Sequence, residues 1–256
     1  MPKLNRNSVN LYYEIHGSGP VVLLSHGYSA TSEMWRGQIA ALSSHYQLIL
    51  WDMRGHGQTD SPDDPAAYSE ETTVADMAAL LDQAGAECAI VGGLSLGGYM
   101  SLAFYLAHPQ RVRALLLFDT GPGFKNDEAR AAWNQRALET AKAFETEGLT
   151  YLRSRGREMA MSTHRSAAGL ARAARGMLAQ CDARVMRSLP QITVPTLIIV
   201  GEDDKPFLAS ADYMAAKIPK STKVVLPHAG HASNLDQPET FNQALMEFLT
   251  LVHLDR

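Results

Sequence analysis

One hydroxyl sits among four glycines in Gly92-Gly93-Leu94-Ser95-Leu96-Gly97-Gly98, after a short apolar run at 89–91 and before a helical stretch from 96. A serine on a sharp strand-to-helix turn is held in a strained backbone conformation, with its Oγ exposed at a helix start. Such a turn folds the positions two residues either side against each other, so both must be small, and Gly93 and Gly97 are. The Leu96 N–H, at the helix N-terminus, is placed to donate to negative charge developing on a substrate oxygen. A glycine turn whose serine merely caps a helix has the same composition, but the flanking strand and helix favour a nucleophile.

A hydroxyl at its ordinary pKa attacks poorly and needs a base. His231, in Pro227-His228-Ala229-Gly230-His231-Ala232, lies between the last apolar run and the last helical stretch, where a loop folds back over the sheet end. His228 lies closer to the strand and reads as a local structural contact, while His16, His45, His108, His164 and His253 read as solvated or helix-end residues. An orienting carboxylate is expected at a strand end between the serine and the histidine. Gly201-Glu202-Asp203-Asp204 offers three acids. Asp204 is favoured, because the loop must leave the strand before a side chain turns towards a histidine. Asp203 is the fallback, and Asp119, ending the run 114–118, is a third choice. A second oxyanion donor is expected in the loop after an early strand. The Tyr28 N–H fills that place, with His26 and Gly27 shaping the loop.

These side chains need a frame. Apolar runs at 21–24, 47–51, 89–91, 114–118, 196–200 and 223–226 are mostly continuous, the pattern of parallel strands covered on both faces. Helical stretches at 70–84, 96–107 and 238–252 lie between and after them, the first with Thr72 and Thr73 as candidate caps and the second stopped by Pro109. Residues 9–16 read as an antiparallel hairpin strand leading into Gly17-Ser18-Gly19-Pro20. Alternating strands and helices imply a doubly wound α/β sheet, with ligands beyond the carboxyl ends of the strands. Residues 122–189 break the rhythm: no strand-like run, and 12 Lys and Arg against 7 Asp and Glu in a chain of net charge −4. A helical lid inserted between two strands is expected there, flanked by core segments 1–121 and 190–256. Its Arg153, Arg155, Arg157, Arg165, Arg172 and Arg175 read mainly as a solvated face, and Met159, Met161 and Met177 as a packing face. The sharper alternative makes the arginines a site for a negative group and the methionines an adaptable pocket wall.

Composition narrows the function classes. A 256-residue chain with 46% hydrophobic and 20% charged residues has the make-up of an ordinary globular protein. Net charge −4 argues against a nucleic-acid-coating protein, and two cysteines are too few for a disulfide framework or zinc cluster. No apolar run reaches the roughly 18 residues needed to span a bilayer, and no apolar stretch follows the charges of residues 1–7. A cytoplasmic protein acting on a small molecule is expected, without metal, organic cofactor, membrane or nucleic-acid partner.

The chain resembles the α/β-hydrolase superfamily over nearly its whole length. The resemblance rests on His26-Gly27, Asp52-Met53-Arg54-Gly55-His56-Gly57, Gly93-Leu94-Ser95-Leu96-Gly97, Gly201-Glu202-Asp203-Asp204 and Gly230-His231, in the family's order. It implies an eight-stranded, mostly parallel sheet with the lid before the last two strands. It also implies Ser95 as nucleophile, Asp204 as acid, His231 as base, Tyr28 and Leu96 as oxyanion donors, and an architectural turn at 52–57. Serine at 95 is unlike the haloalkane dehalogenase and epoxide hydrolase branches, which carry aspartate. Leu94 and Leu96 stand where carbon–carbon bond hydrolases commonly have Asn and Met, and Tyr99 where the menaquinone-pathway synthases typically have Arg. Carboxylesterases and enol-lactone hydrolases are the nearest resemblance. The implied function is hydrolysis of a carboxylic ester or lactone through an acyl-enzyme. The alternatives are a carbon–carbon bond hydrolase, a synthase-type lyase, or a small-molecule receptor with little turnover.

Overall fold

The computed structural model describes residues 3–254. Residues 1, 2, 255 and 256, counted within the expected core segments, lie outside the described residues. In chain order the elements are β1 (Lys3–Arg6), β2 (Val9–His16), β3 (Val21–Ser25), α1 (Arg36–Leu42), β4 (Gln47–Trp51), α2 (Glu70–Gln83), β5 (Ala89–Leu94), α3 (Leu96–Ala107) and β6 (Val112–Phe118). There follow α4 (Asp127–Glu147), α5 (Arg157–Ala160), α6 (Ala167–Ala173), α7 (Arg184–Ser188), β7 (Thr196–Gly201), α8 (Lys205–Lys217), β8 (Ser221–Leu226), α9 (Ser233–Asp236) and α10 (Pro238–Leu254). The eight strands form one sheet in the order β1-β2-β4-β3-β5-β6-β7-β8. It is antiparallel at β1, β2 and β4 and parallel thereafter.

The continuous apolar runs are explained by a core on each face of this sheet. Along β3, Val21 and Leu23 pack into one core and Val22 and Leu24 into the other. Likewise Leu115 and Leu117 of β6 face one way, Ala114, Leu116 and Phe118 the other. Helices α2, α3 and α8 cover the first face through residues such as Met77, Phe104 and Met214. Helices α1 and α10 cover the second, where Phe241 packs edge-on to Phe118 with ring centroids 4.7 Å apart. Strand β8 is the edge at the parallel end; it is largely exposed and carries Lys223, a charge that discourages further pairing.

One local expectation holds and two are corrected. Residues 9–16 do form an antiparallel hairpin strand; its partner is the upstream β1, which Asn7 and Ser8, with positive φ of 51° and 62°, return onto it. Ser69, one residue before α2, is its N-cap, accepting from the Thr72 N–H at 3.1 Å. His164 is buried rather than solvated: its Nδ1 accepts from Gly57 N at 3.0 Å and its Nε2–H donates to Ser29 O at 3.0 Å. Its ring packs on His56, which packs on His26. Among the described residues no helix is long and apolar enough to cross a membrane.

The turn at 52–57 is a brace. Asp52 accepts from the N–H groups of Ser32 and Gln58, each at 2.8 Å. Arg54 grips the buried Asp76 of α2 through Nε at 2.6 Å and Nη2 at 2.9 Å, and Arg6 of β1 reaches the same carboxylate at 2.6 Å. This bidentate pairing ties the sheet's antiparallel end to its helical layer. Between β6 and β7 the chain is helical, and it seats on the β3 and β4 loops through His164 and a Tyr28 hydroxyl bond to Leu170 O at 2.8 Å.

Candidate active site

Ser95 occupies the junction of β5 and α3 with φ 54° and ψ −115°, a conformation rare outside glycine. The surroundings hold it there. Its N–H donates to Phe118 O at 2.9 Å, and its carbonyl accepts from the Thr120 hydroxyl at 2.6 Å. A Cβ at Gly97 would stand 2.2 Å from Ser25 O, and one at Gly93 2.4 Å from the same atom. The loop after β3 therefore presses directly on the turn, as the small residues at both places require. That contact also brings Gly27 and Tyr28 beside Ser95 in one cavity, while Leu96, first residue of α3, has an N–H without an intrahelical acceptor.

The carboxyl end of β7 supplies the acid. Asp204 stands at the N-cap of α8 yet makes no side-chain cap bond. Its Oδ2 instead accepts from His231 Nδ1 at 2.8 Å, and the residue is 4% exposed. The two loops are stitched together: Asp203 N–H donates to Ala229 O at 2.8 Å, and Glu202 N–H to Leu226 O at 2.8 Å. Gly201 permits the approach, since a Cβ there would lie 2.3 Å from the carbonyls of Ala229 and Gly230. Phe207 stacks on the His231 ring at 4.8 Å. With Nδ1 engaged, Nε2 is the ring's remaining acceptor, and His231 lines the same cavity as Ser95. Burial by itself depresses the His231 pKa; the Asp204 hydrogen bond and charge outweigh it, helped by Asp119 and Glu158, so it lies above 6.5.

The other candidates go elsewhere. Asp203 is exposed, 4.0 Å from Lys205. Asp119 is buried without touching His231: it accepts from Gly201 N at 2.8 Å and from the Ser233 hydroxyl at 2.5 Å. Burial pushes its carboxyl up to about 7. It thus clamps the end of β7 to the segment just after His231, a positioning contact invisible in spacing. His228 is exposed and bonds locally, its N–H to Glu202 at 3.4 Å.

Ser95 lies where two lobes meet. The smaller, about 60 Å³, runs past Leu96, Tyr99, Thr120, Phe124, Gln180 and Ser210. The larger, about 180 Å³, holds Gly27, Tyr28, Leu94, Glu158, Met159 and His231. Trp133, Leu178 and Phe207 border both. Sequence reasoning missed Trp133 and Glu158, which sit in helical sequence with no distinguishing motif. Of the three methionines only Met159 lines these lobes; Met161 is exposed and Met177 is core. None of the six arginines lines either lobe. Arg172 pairs with Asp63 at 2.7 Å, Arg175 with Glu145 at 2.7 Å, and Arg155 covers the Tyr151 ring. Arg172 and Arg175 thus pair their charge with acids at the surface. Among the described residues no three His, Cys, Asp or Glu side chains are grouped to hold a metal ion.

Known proteins share this fold. The alpha/beta hydrolase family model matches residues 21–244. A 3-oxoadipate enol-lactonase of Acinetobacter baylyi is 29% identical over 266 residues, covering 96% of this chain and 95% of its own. A Bacillus subtilis protein, provisionally named a 2-succinyl-6-hydroxy-2,4-cyclohexadiene-1-carboxylate synthase, is 28% identical over 267 residues, covering 94% and 95%. Among solved structures, a thermophilic esterase from Thermogutta terrifontis is 30% identical with a TM-score of 0.83, covering 96% of this chain and 94% of that one.

Proposed function

Since the chain belongs to the alpha/beta hydrolase family, we propose that it hydrolyses a small carboxylic ester or lactone through Ser95, His231 and Asp204. The observation that carries this reading is the 2.8 Å bond from His231 Nδ1 to buried Asp204, with Ser95 strained into the same cavity. Ser95 Oγ attacks the carbonyl carbon while His231 Nε2 takes its proton. The backbone N–H groups of Tyr28 and Leu96 stabilise the resulting oxyanion. His231 then returns the proton to the leaving alcohol, and the acyl group stays on Ser95 until water, deprotonated by the same imidazole, releases it. Asp204 fixes the tautomer and stabilises the imidazolium. Residues 122–189 act as the lid that closes the two lobes, whose combined size suits a small substrate.

A second reading, a lyase using the same groups to abstract a proton, is favoured by the Bacillus subtilis relative. That protein's name specifies a carboxylate-bearing compound, whereas no Lys or Arg lines either lobe here. An anionic substrate would go unpaired, which weighs equally against the substrate that the 3-oxoadipate enol-lactonase is named for. The reading preferred is therefore hydrolysis of an ester or lactone without a free carboxylate. The test is fluorophosphonate labelling with burst kinetics on p-nitrophenyl acetate. A stoichiometric burst, with Ser95→Ala losing labelling and on the order of 10⁶-fold of kcat, supports the acyl-enzyme. Steady turnover surviving in Ser95→Ala refutes it.

A further inference from the structure

Glu158 is the one acid in the larger lobe. It stands on the short helix α5 and is 5% exposed. Among the described residues its carboxylate has no hydrogen-bond or ion-pair partner. The neighbouring cations do not serve it: Arg157 donates to Leu235 O at 3.0 Å, and Arg155 lies over Tyr151. An unpaired carboxylate on the wall of a lobe is a ready partner for a cation that enters it, and two charges paired inside a partly closed cavity are screened less than at the surface. The walls suit such a cation. Tyr28, Trp133, Phe207 and the His231 ring line the same lobe, and aromatic faces attract ammonium groups. Trp133 is held in place by its Nε1–H bond to Leu178 O at 2.8 Å.

We propose that the larger lobe is an alkylammonium site, in which Glu158 pairs with a positively charged group of the substrate while the aromatic walls enclose its alkyl part. The substrate class is then an ester whose leaving alcohol bears a primary or quaternary ammonium. That choice of side rests on the hydrolytic reading above, because His231, which lines this lobe, hands its proton to the leaving group. A carboxylate in the same position meets Glu158 as a like charge. The lobe thus has the opposite preference to the one the lid arginines suggest from composition.

The test separates binding from turnover. Dissociation constants of n-butylammonium and n-butyrate are measured on the intact chain at pH 8 by tryptophan fluorescence, which Trp133 reports. Butylammonium should bind about tenfold more tightly than butyrate, and Glu158→Gln should bring the ratio close to one. If wild type binds butyrate as well as butylammonium, the proposal fails whatever the variant does. In parallel, kcat/KM is compared for 2-(trimethylammonio)ethyl acetate and its neutral isostere 3,3-dimethylbutyl acetate. The cationic-to-neutral ratio should fall about tenfold in Glu158→Gln; an unchanged ratio overturns the proposal. Binding selectivity without turnover of any ester would uphold the ammonium site and sink the hydrolytic reading instead.

Discussion

Replacing Asp204 by Asn tests the chemistry with little disturbance of shape. The carboxylate is 4% exposed and accepts one bond from His231 Nδ1 at 2.8 Å. It makes no cap bond to α8, so the amide does not cost the helix its N-terminus. The amide presents a donor as well as an acceptor, allowing the imidazole to flip to the tautomer whose Nε2 carries the hydrogen. It also removes the charge that stabilises the imidazolium. Both losses fall on the transition state, so kcat should drop on the order of 10⁴-fold, about 5.5 kcal/mol, with KM nearly unchanged. The pH profile adds a second reading. In wild type, burial is outweighed by Asp204 and the His231 pKa is raised. Since the base acts when neutral, kcat/KM should climb with pH through a midpoint above 6.5. In Asp204→Asn the burial persists and its main opponent is gone, so the midpoint should move down. The assay is p-nitrophenyl acetate hydrolysis from pH 5 to 9, with Asp203→Asn as the comparison. Retention of a tenth of wild-type kcat in Asp204→Asn, or an equal loss in Asp203→Asn, refutes the assignment.

Other consequences are measurable by ordinary means. Gly97→Ala puts a methyl 2.2 Å from Ser25 O, a backbone atom that cannot swing aside; urea unfolding should show a loss of about 1–3 kcal/mol together with impaired fluorophosphonate labelling. An unchanged midpoint would mean the turn is looser than its contacts indicate. Asp76→Ala strands Arg54, which is 4% exposed, and frees Arg6; a destabilisation of about 3–5 kcal/mol is expected, and less than 1 kcal/mol would argue against a structural brace. Acid should weaken the fold early. Burial depresses His26 and His164 to about 4 from 6.5, so each favours the neutral folded state above 6.5, and that contribution is lost as pH falls towards 4. The loss is about 3 kcal/mol per histidine. Urea stability that is flat between pH 7 and 4.5 would contradict it.

The net charge of residues 122–189 does not set the field beside Ser95. Residues 122–189 are net positive by composition, yet the lobes beside Ser95 contain a carboxylate and no Lys or Arg. Several of the segment's arginines pair with acids at the surface, as Arg184 does with Glu70 and Glu71 at 2.9 Å each. Glu70 in turn accepts from the Tyr99 hydroxyl at 2.7 Å, linking the surface charges of this helical segment to a side chain of the smaller lobe. Net charge of a segment therefore says little about the field inside the cavity it covers.

What the sequence by itself determined was everything local. The continuous apolar runs already required a sheet covered on both faces, Pro109 already ended the helix begun at Leu96, and glycines two residues either side of Ser95 already demanded a tight turn. Each is a matter of backbone sterics or periodicity within a dozen residues. The loop length after β7 favoured Asp204 over Asp203 and Asp119, but only the tertiary structure gives its contact with the imidazole and shows Asp119 engaged elsewhere. It also decided that Ser233 and Gly201 hold Asp119, that His164 is buried against His56, and that Glu158 and Trp133 border the cavity. These contacts join residues far apart in the chain. Helical periodicity tells which side chains share a face, but what that face packs against depends on how separate elements close over one another.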